Sequence, residues 1–332
     1  MGYPWRVTLE ELREILTDPI GTADPGPEAL ARAVNDAAVL ATAAFHRGEA
    51  AARLHAERVL HVIQVHSHFA PPMQGVPAIY WGVLLRGKLT AELKAPADWP
   101  ELTDRIDDLD AVELKRRLER AVELHGGHNH PFLDDVADRS NERALRVFCK
   151  NWYGSCQGFS HQLIQMVQRT SGAVRRSVAE NVSDEFSGVG HDELRMRFIE
   201  SVGFRYDAQV AATDPERVPE SYALMSYRTG ICLLQDTAFA LGSFYTTEAN
   251  WPTECKRMLR GLEARGCSAR DLEYWSEHAH ADEHHAAEWL TVLLEAATTR
   301  GQRERVLTGA LVQLHTRRRM YDSMQAQSRV PA

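Results

Sequence analysis

Apolar residues recur every three or four positions over long windows of the 332-residue chain, without sustained alternation of apolar and polar residues. The first spacing places side chains on one face of an α-helix, whereas alternation indicates strands. The sequence therefore predicts an all-α fold without a sheet. The predicted helices cover residues 8–17, 27–48, 49–69, 111–124, 134–169, 172–187, 191–203, 219–243, 252–265, 269–297 and 301–326.

Segments that contain proline and glycine separate these helices, among them APPMQGVP and HGGHNHP. The stretch from Lys88 to Asp110 contains proline, aspartate and tryptophan with weak periodicity, and we interpret it as a surface excursion. The chain is predicted to have two parts. Residues 1–130 form an N-terminal helical extension, and residues 131–332 form the main helical bundle.

Charge and composition limit the class of protein. The net charge is −8, and lysine and arginine form no long unopposed run, which argues against nucleic acid or an anionic membrane as the main partner. No stretch reaches the roughly 18 apolar residues of a membrane span, and the N-terminus has acids where a signal peptide needs an apolar run. We expect a cytoplasmic protein. Its five cysteines, an odd number without CxxC spacing, are predicted to be reduced thiols.

The segment LEYWSEHAHADEHHAAEWL carries the strongest chemical pattern. On an α-helix, Asp282 and His285 lie within about 40° of His278 around the axis. One helix face therefore presents two imidazoles and a carboxylate, which make half of a site for iron, manganese or zinc. Mixed ligands of this kind favour a redox metal with open positions. The alternative is a histidine-rich, solvated helix face.

A second segment, AENVSDEFSGVGHDELRMRF, offers further ligands. A regular helix would not place Glu185 and His191, six residues apart, on one face. Gly188 and Gly190 permit a bend that turns both side chains toward one centre. Without the bend, Asp184 is the ligand seven residues from His191. The alternative is that the acids only cap helices.

A third segment, LGSFYTTEANWPTECKRML, contains Glu248 among Phe244, Tyr245 and Trp251. A carboxylate in such surroundings is costly to bury unless it is paired or bound to metal. The alternative is a surface glutamate at a helix end, because Pro252 is predicted to begin the next helix.

These segments resemble a known family. FCKNWYGSCQGFSHQL, AENVSDE followed by HDEL, FYTTEANWP and the final His278-x3-Asp282-x2-His285 are similar to the heme-oxygenase-like di-metal oxidases and oxygenases. Their relatives include the cofactorless oxidase of pyrroloquinoline quinone biosynthesis and thiaminase-like proteins. The resemblance covers residues 134–297 and implies a heme-oxygenase-like helical bundle for residues 131–332. It implies six metal ligands, namely Glu185, His191, Glu248, His278, Asp282 and His285.

The sequence departs from the family pattern at one place. Some branches take a carboxylate from the early helix, where this chain has Asn151, Cys156, Gln157 and His161. In such a branch Glu248 would not be a ligand. The cofactorless relatives lack the full set of acids and histidines, so their mechanism is disfavoured.

The resemblance also implies the chemistry. It implies an enzyme with two Fe(II) ions, or manganese, that uses O2 as co-substrate to oxidise a small amino acid or amine, with N-oxygenation in natural product biosynthesis expected. The alternatives are oxidative C–C cleavage of an amino acid or fatty acid, and a helical protein that binds metal or amine without catalysis. An external electron donor and a homodimer are expected partners.

Residues around the metals are less clearly indicated. Glu180, Asp184, Glu283 and Tyr153 are candidates for orienting the histidines. Three arginines could bind a substrate carboxylate if they faced the site, but each is interpreted as a surface or ion-paired arginine; they are Arg195, Arg197 and Arg228.

Overall fold

Helices form the whole of the regular structure that the computed structural model describes, which covers residues 8–17, 26–67, 75–94, 99–100, 109–205, 213–233 and 236–330. No strand occurs in these ranges, so the all-α prediction is confirmed. The α-helices are α1 Leu9–Thr17, α2 Gly26–Ala41, α3 Ala50–His66, α4 Gly75–Glu92, α5 Ala111–His125, α6 Phe132–Ala137, α7 Glu142–Cys156, α8 Phe159–Arg169, α9 Gly172–Glu185, α10 His191–Ser201, α11 Pro219–Leu233, α12 Thr237–Arg265, α13 Glu273–Ala296 and α14 Arg300–Ser328.

Three long helices form the centre of the bundle. α12 packs along both α13 and α14, and α9 packs against α8 and α13. α11 lies against α7, α8 and α14, and it also contacts α3. Of the elements that carry the predicted ligands, α9, α10 and α12 all pack against α13.

α12 and α14 approach each other closely because glycines face each other where they meet. A Cβ on Gly242 would lie 1.9 Å from the carbonyl oxygen of Val306, and one on Gly309 would lie 2.0 Å from that of Phe239. The hydroxyl of Ser243 donates to the carbonyl of Gly309 at 2.9 Å. Only glycine allows the two backbones to lie so close.

The N-terminal helices share a core with the bundle. α2 pairs with α4, α3 packs against α11, and α5 packs against α14. One apolar cluster runs from Leu12 to Leu314 and so includes residues on both sides of the predicted boundary at residue 130. The division into two parts stays a prediction.

The interpretation of residues 88–110 as a surface excursion is wrong at its start. Residues 88–92 belong to α4, and Lys88 is fully buried, where its Nζ donates to Glu57 at 2.5 Å. Trp99 and Leu109 are also buried, while residues 95–98 and 101–108 lie outside the described part. α4 itself was not predicted, because it is apolar on most sides and lacks a periodic face.

Two predicted helix bounds are also corrected. The span 134–169 is three helices, since Asn141 caps α7 with its side chain and Gly158 adopts a φ of +79° before α8. Pro252 does not begin a helix but lies inside α12. Proline has no N–H to donate to the carbonyl four residues earlier, which is that of Glu248. The packing of α12 between its neighbours tolerates this loss.

Two further observations concern the described residues as a group. None of their helices is long and apolar enough to cross a membrane. All five cysteines are free thiols, as predicted.

Candidate metal centre

The structure brings the six predicted ligands into two adjoining groups. The first group is Glu185, His191 and His278. The second group is Glu248, Asp282 and His285. Within each group, one ligand atom per residue lies within 4.8 Å of the others. All six side chains are buried or nearly so, and His191 is the most exposed at 13%.

The first group depends on the turn between α9 and α10. α9 ends at Glu185, Gly188 adopts a φ of +58°, and α10 begins at His191. This turn brings Oε1 of Glu185 to 3.0 Å from Nδ1 of His191. The expected bend is present, and Glu185 rather than Asp184 faces His191.

α13 serves both groups with one face. His278 faces the α9–α10 turn, and its ring centroid lies 4.4 Å from that of His191. Asp282 and His285 face Glu248 on α12: Nδ1 of His285 lies 3.5 Å from Oδ1 of Asp282 and 3.8 Å from Oε2 of Glu248. The three α13 residues that the sequence predicted as half of one metal site are thus divided between the two groups.

Hydrogen bonds fix which ring nitrogens face the centre. Nδ1 of His278 contacts the carbonyl oxygen of Tyr274 at 2.8 Å, which leaves Nε2 free. Nε2 of His285 contacts Oδ2 of Asp184 at 2.8 Å, which leaves Nδ1 toward Asp282 and Glu248. Carboxylates and carbonyls commonly orient metal-binding histidines in this way. Two roles were predicted for Asp184, as an alternative ligand and as a residue that orients a histidine. The structure places it in the second role, against His285.

The protonation of the first group suits a cation. Burial lowers the pKa of His278 to about 3, with a contribution from His191, so the ring is neutral and has a free lone pair. Burial alone would raise the pKa of Glu185, but His191 and Arg195 lower it to about 2. Nδ1 of His191 lies 3.0 Å from Oε1 of Glu185 and Oε2 of Glu185 lies 3.5 Å from Arg195, but neither Nδ1 nor Oε2 has a well-aligned hydrogen bond among the described residues, so both could bind a metal ion.

The second group carries an excess of acid. Burial and the adjacent Glu248 raise the pKa of Asp282 well above its usual range. Burial opposes a charge on His285, yet its contacts with Asp282, Glu248 and Asp184 raise its pKa to about 11. Asp282 thus favours its protonated form at the place where a cation would favour its charged form. A donor set of imidazoles and carboxylates without a thiolate fits iron or manganese.

The six side chains line one cavity. Its space totals about 490 Å³ including the mouth, of which about 40 Å³ admits the centre of a water molecule. The other lining groups are aromatic or basic, with one thiol, two uncharged polar side chains and the carboxylate of Asp184. They include Phe159, Trp251, Tyr274, Cys156, Asn181, Thr247, Arg195, Arg228 and Arg317.

Three of the four predicted orienting residues lie elsewhere. Glu180 is exposed in a separate groove with His284, and Glu283 is exposed and paired with Lys256. Tyr153 does not line the cavity. Helix direction decides this, because Glu180 and Glu283 point away from the side of α9 and α13 that faces the cavity.

The arginine interpretation is right for two residues and wrong for one. Arg197 pairs with Glu273 at 2.6 Å, and Arg195 is buried but lies 3.1 Å from Asp192 and 3.5 Å from Glu185. Arg228 is neither at the surface nor ion-paired among the described residues: it is 4% exposed and lines the cavity. The sequence contains a feature that could have predicted this burial, since Arg228 is the only charged residue between Glu220 and Asp236.

The early helix supplies no carboxylate in this structure. Asn151 is bound to backbone groups of Val147, Glu216 and Val218, and of the four polar residues noted there only Cys156 lines the cavity. Glu248 occupies the position opposite Asp282 instead. The early helix therefore lacks the carboxylate that some branches of the family take from it, and α12 supplies Glu248 to the site.

Comparison with known proteins identifies the family of the chain. A family described as iron-containing redox enzyme matches residues 146–318, more than half of the chain. The chain is similar to a 4-aminobenzoate synthase of Chlamydia pneumoniae, with 28% identity over 60% of this chain and 89% of the relative. It is also similar to a 4-aminobenzoate synthase of Chlamydia muridarum, with 26% identity over 55% of this chain and 75% of the relative.

Solved structures show the same fold. A domain of unknown function with a heme oxygenase-like fold from Shewanella denitrificans matches with a TM-score of 0.52 and 16% identity, over 66% of this chain and 93% of that one. A TenA homolog from Pseudomonas syringae matches with a TM-score of 0.50 and 13% identity, over 70% and 96%. The chain therefore belongs to the family of iron-containing redox enzymes, with a heme-oxygenase-like helical fold and the activity of an iron oxidoreductase.

Proposed function

We propose that this protein is a dinuclear iron enzyme that uses O2 to oxidise a small amino acid or amine, with oxygenation at nitrogen as the reaction. The observation that carries the proposal is the pair of adjoining groups, each with three buried nitrogen or oxygen donors. One ion in each group would give two redox metals in one cavity. Two ferrous ions there would supply electrons for the reduction of O2.

The residues around the two groups have separable roles in this proposal. Asp184 holds the ring of His285 so that Nδ1 faces its group, and the Tyr274 carbonyl does the same for Nε2 of His278. Arg195 lies 3.5 Å from Oε2 of Glu185 and keeps that carboxylate charged. Phe159, Trp251 and Tyr274 line the cavity and give it an apolar wall beside the two groups.

The names of the relatives suit a small amine that is also an acid as a molecule handled at the site. They are named 4-aminobenzoate synthases, and the compound in that name carries an amino group and a carboxylate. Oxidative cleavage of a C–C bond is the second candidate reaction for the same site. A protein that binds metal or an amine without catalysis is the third, and the experiments below separate all three.

The first test counts metal. Anaerobic Fe(II) titration of the full chain is expected to give two ions per chain, and one or fewer in Asp282→Ala. His280→Ala is the matched control, because His280 lies on the same helix and is exposed, and its Nδ1 faces the Ser276 carbonyl oxygen at 3.0 Å. One ion in the unchanged protein, or equal loss of iron in both variants, would contradict a dinuclear site.

The second test follows turnover. The iron-loaded protein is mixed with O2 and a panel of amino acids and amines, with and without a chemical reductant, and products are identified by mass. N-oxygenation adds oxygen atoms to the substrate, whereas C–C cleavage gives two smaller products. Iron binding without O2 consumption by any compound would favour the binding protein.

A further inference from the structure

Arg228 is a buried cation in the same cavity as the two metal groups. It lies on α11, where no other charged residue occurs between Glu220 and Asp236. Its side chain lines the cavity, and its guanidinium carbon stands 5.7 Å from the centre of the Phe159 ring. The chain thus places a permanent positive charge beside the proposed reaction site.

The described residues provide neither a hydrogen bond nor a close ion pair for this charge. No carboxylate oxygen among them lies within 4.0 Å of the guanidinium, no hydrogen bond from it occurs, and its buried Nε is unpaired. The other two arginines of the cavity differ. Arg195 contacts Asp192, Glu185 and two carbonyls, and Nη2 of Arg317 donates to Glu254 at 2.5 Å.

An unpaired buried cation is unfavourable in the free protein. Burial lowers the pKa of Arg228 to about 10, and the charge of Arg317 acts in the same direction, while Cys156, Glu248 and Tyr274 act against it without cancelling it. A group of this kind persists where it serves a ligand, because an anion would restore the lost interactions. Arg195 and Arg317 have acidic partners at close range, whereas Arg228 has none within 4.0 Å among the described residues, so its guanidinium is available to an anionic ligand.

We propose that Arg228 binds the carboxylate of the substrate, which is therefore a small carboxylic acid whose apolar or aromatic body lies against Phe159 and Trp251. This inference rests on the proposed function, because it places the substrate in the same cavity as the metals. A planar guanidinium offers two parallel N–H groups to a carboxylate, which fixes the orientation of the acid as well as its charge.

The test compares acids with their uncharged amides. The full chain is titrated by calorimetry with benzoate and benzamide, and with L-phenylalanine and its amide. We expect each acid to bind more tightly than its amide, Arg228→Gln to weaken the acids about 10- to 100-fold, and the amides to be unaffected. Arg228→Lys should retain part of the preference. Arg197→Gln, which alters an arginine paired outside the cavity, should retain all of it.

A second measurement does not depend on the choice of acid. Without ligand, Arg228→Met is expected to melt at the same temperature as the unchanged protein or higher, because it removes an unpaired buried charge. A lower melting temperature would show that Arg228 supports the fold, and would overturn the proposal. So would equal binding of acids and amides, a preference that survives Arg228→Gln, or inorganic phosphate that binds more tightly than either acid.

Iron is counted in every variant of this series. Two ions per chain with no Arg228-dependent preference would overturn the carboxylate site alone. Fewer than two ions in the unchanged protein, with the preference intact, would overturn the dinuclear site and leave the carboxylate site standing.

Discussion

Gly242→Ala tests whether the close contact of α12 and α14 supports the fold. The added Cβ would lie 1.9 Å from the carbonyl oxygen of Val306, and Cβ atoms essentially never approach within 3.0 Å of another heavy atom. The obstacle is backbone, so the helices must separate locally by about 1 Å. A gap of that size removes a quarter to a half of the dispersion energy of each contact it opens.

The expected net effect follows from two opposing contributions. Overpacking of this kind costs about 3 kcal/mol at the upper end of the usual range, while alanine in place of glycine inside a helix contributes about 1 kcal/mol of stability. We expect a net loss of about 2 kcal/mol and a melting temperature lower by about 3 °C. Because α12 also carries Glu248, iron affinity should fall as well.

The assay is thermal and urea unfolding of the variant beside a control. Gly82→Ala lies inside α4 with nothing within 4 Å of the added Cβ, and it should be more stable by up to about 1 kcal/mol. Gly242→Ala with Gly309→Ala should lose less than the sum of the single changes, since one separation relieves both contacts. A Gly242→Ala protein as stable as the Gly82→Ala protein would refute the reasoning.

Two further predictions concern the surroundings of the site. Asp184→Asn weakens the contact that orients His285 and should reduce Fe(II) affinity about 10- to 100-fold in a competition titration, with Glu180→Gln, on the same helix but exposed, as the unaffected control. Glu254→Gln leaves the buried guanidinium of Arg317 without its acid and should cost about 3 kcal/mol in urea unfolding, whereas the double change with Arg317→Met should recover part of that loss. Equal iron affinity in the two α9 variants, or an unchanged unfolding midpoint for Glu254→Gln, would contradict these assignments.

The ligand-bearing face of α13 could be predicted because its spacing is local. His278, Asp282 and His285 share a face whatever the rest of the chain does, and the structure keeps them on it. The turn that joins Glu185 to His191 was also predictable in outline, since Gly188 provides the positive φ that the bend requires.

Other features could not be predicted from local pattern. Lys88 indicated a surface segment, but Glu57, 31 residues earlier, pairs with it inside the core. Pro252 indicated a helix start, but the packing of α12 carries the helix through it. In both cases an interaction distant in sequence outweighed a local preference.

The sequence by itself determined that the chain is helical, which residue types can bind a metal, and which of them share a helix face, because these follow from the geometry of a single helix. Only the tertiary structure decided how the donors are grouped. It placed His278 with the α9–α10 turn and Asp282 with Glu248, and it left Arg228 buried without an acid. The physical reason is that these relations depend on how α9, α10, α11, α12 and α13 pack together, and helix packing depends on side chains far apart in the chain.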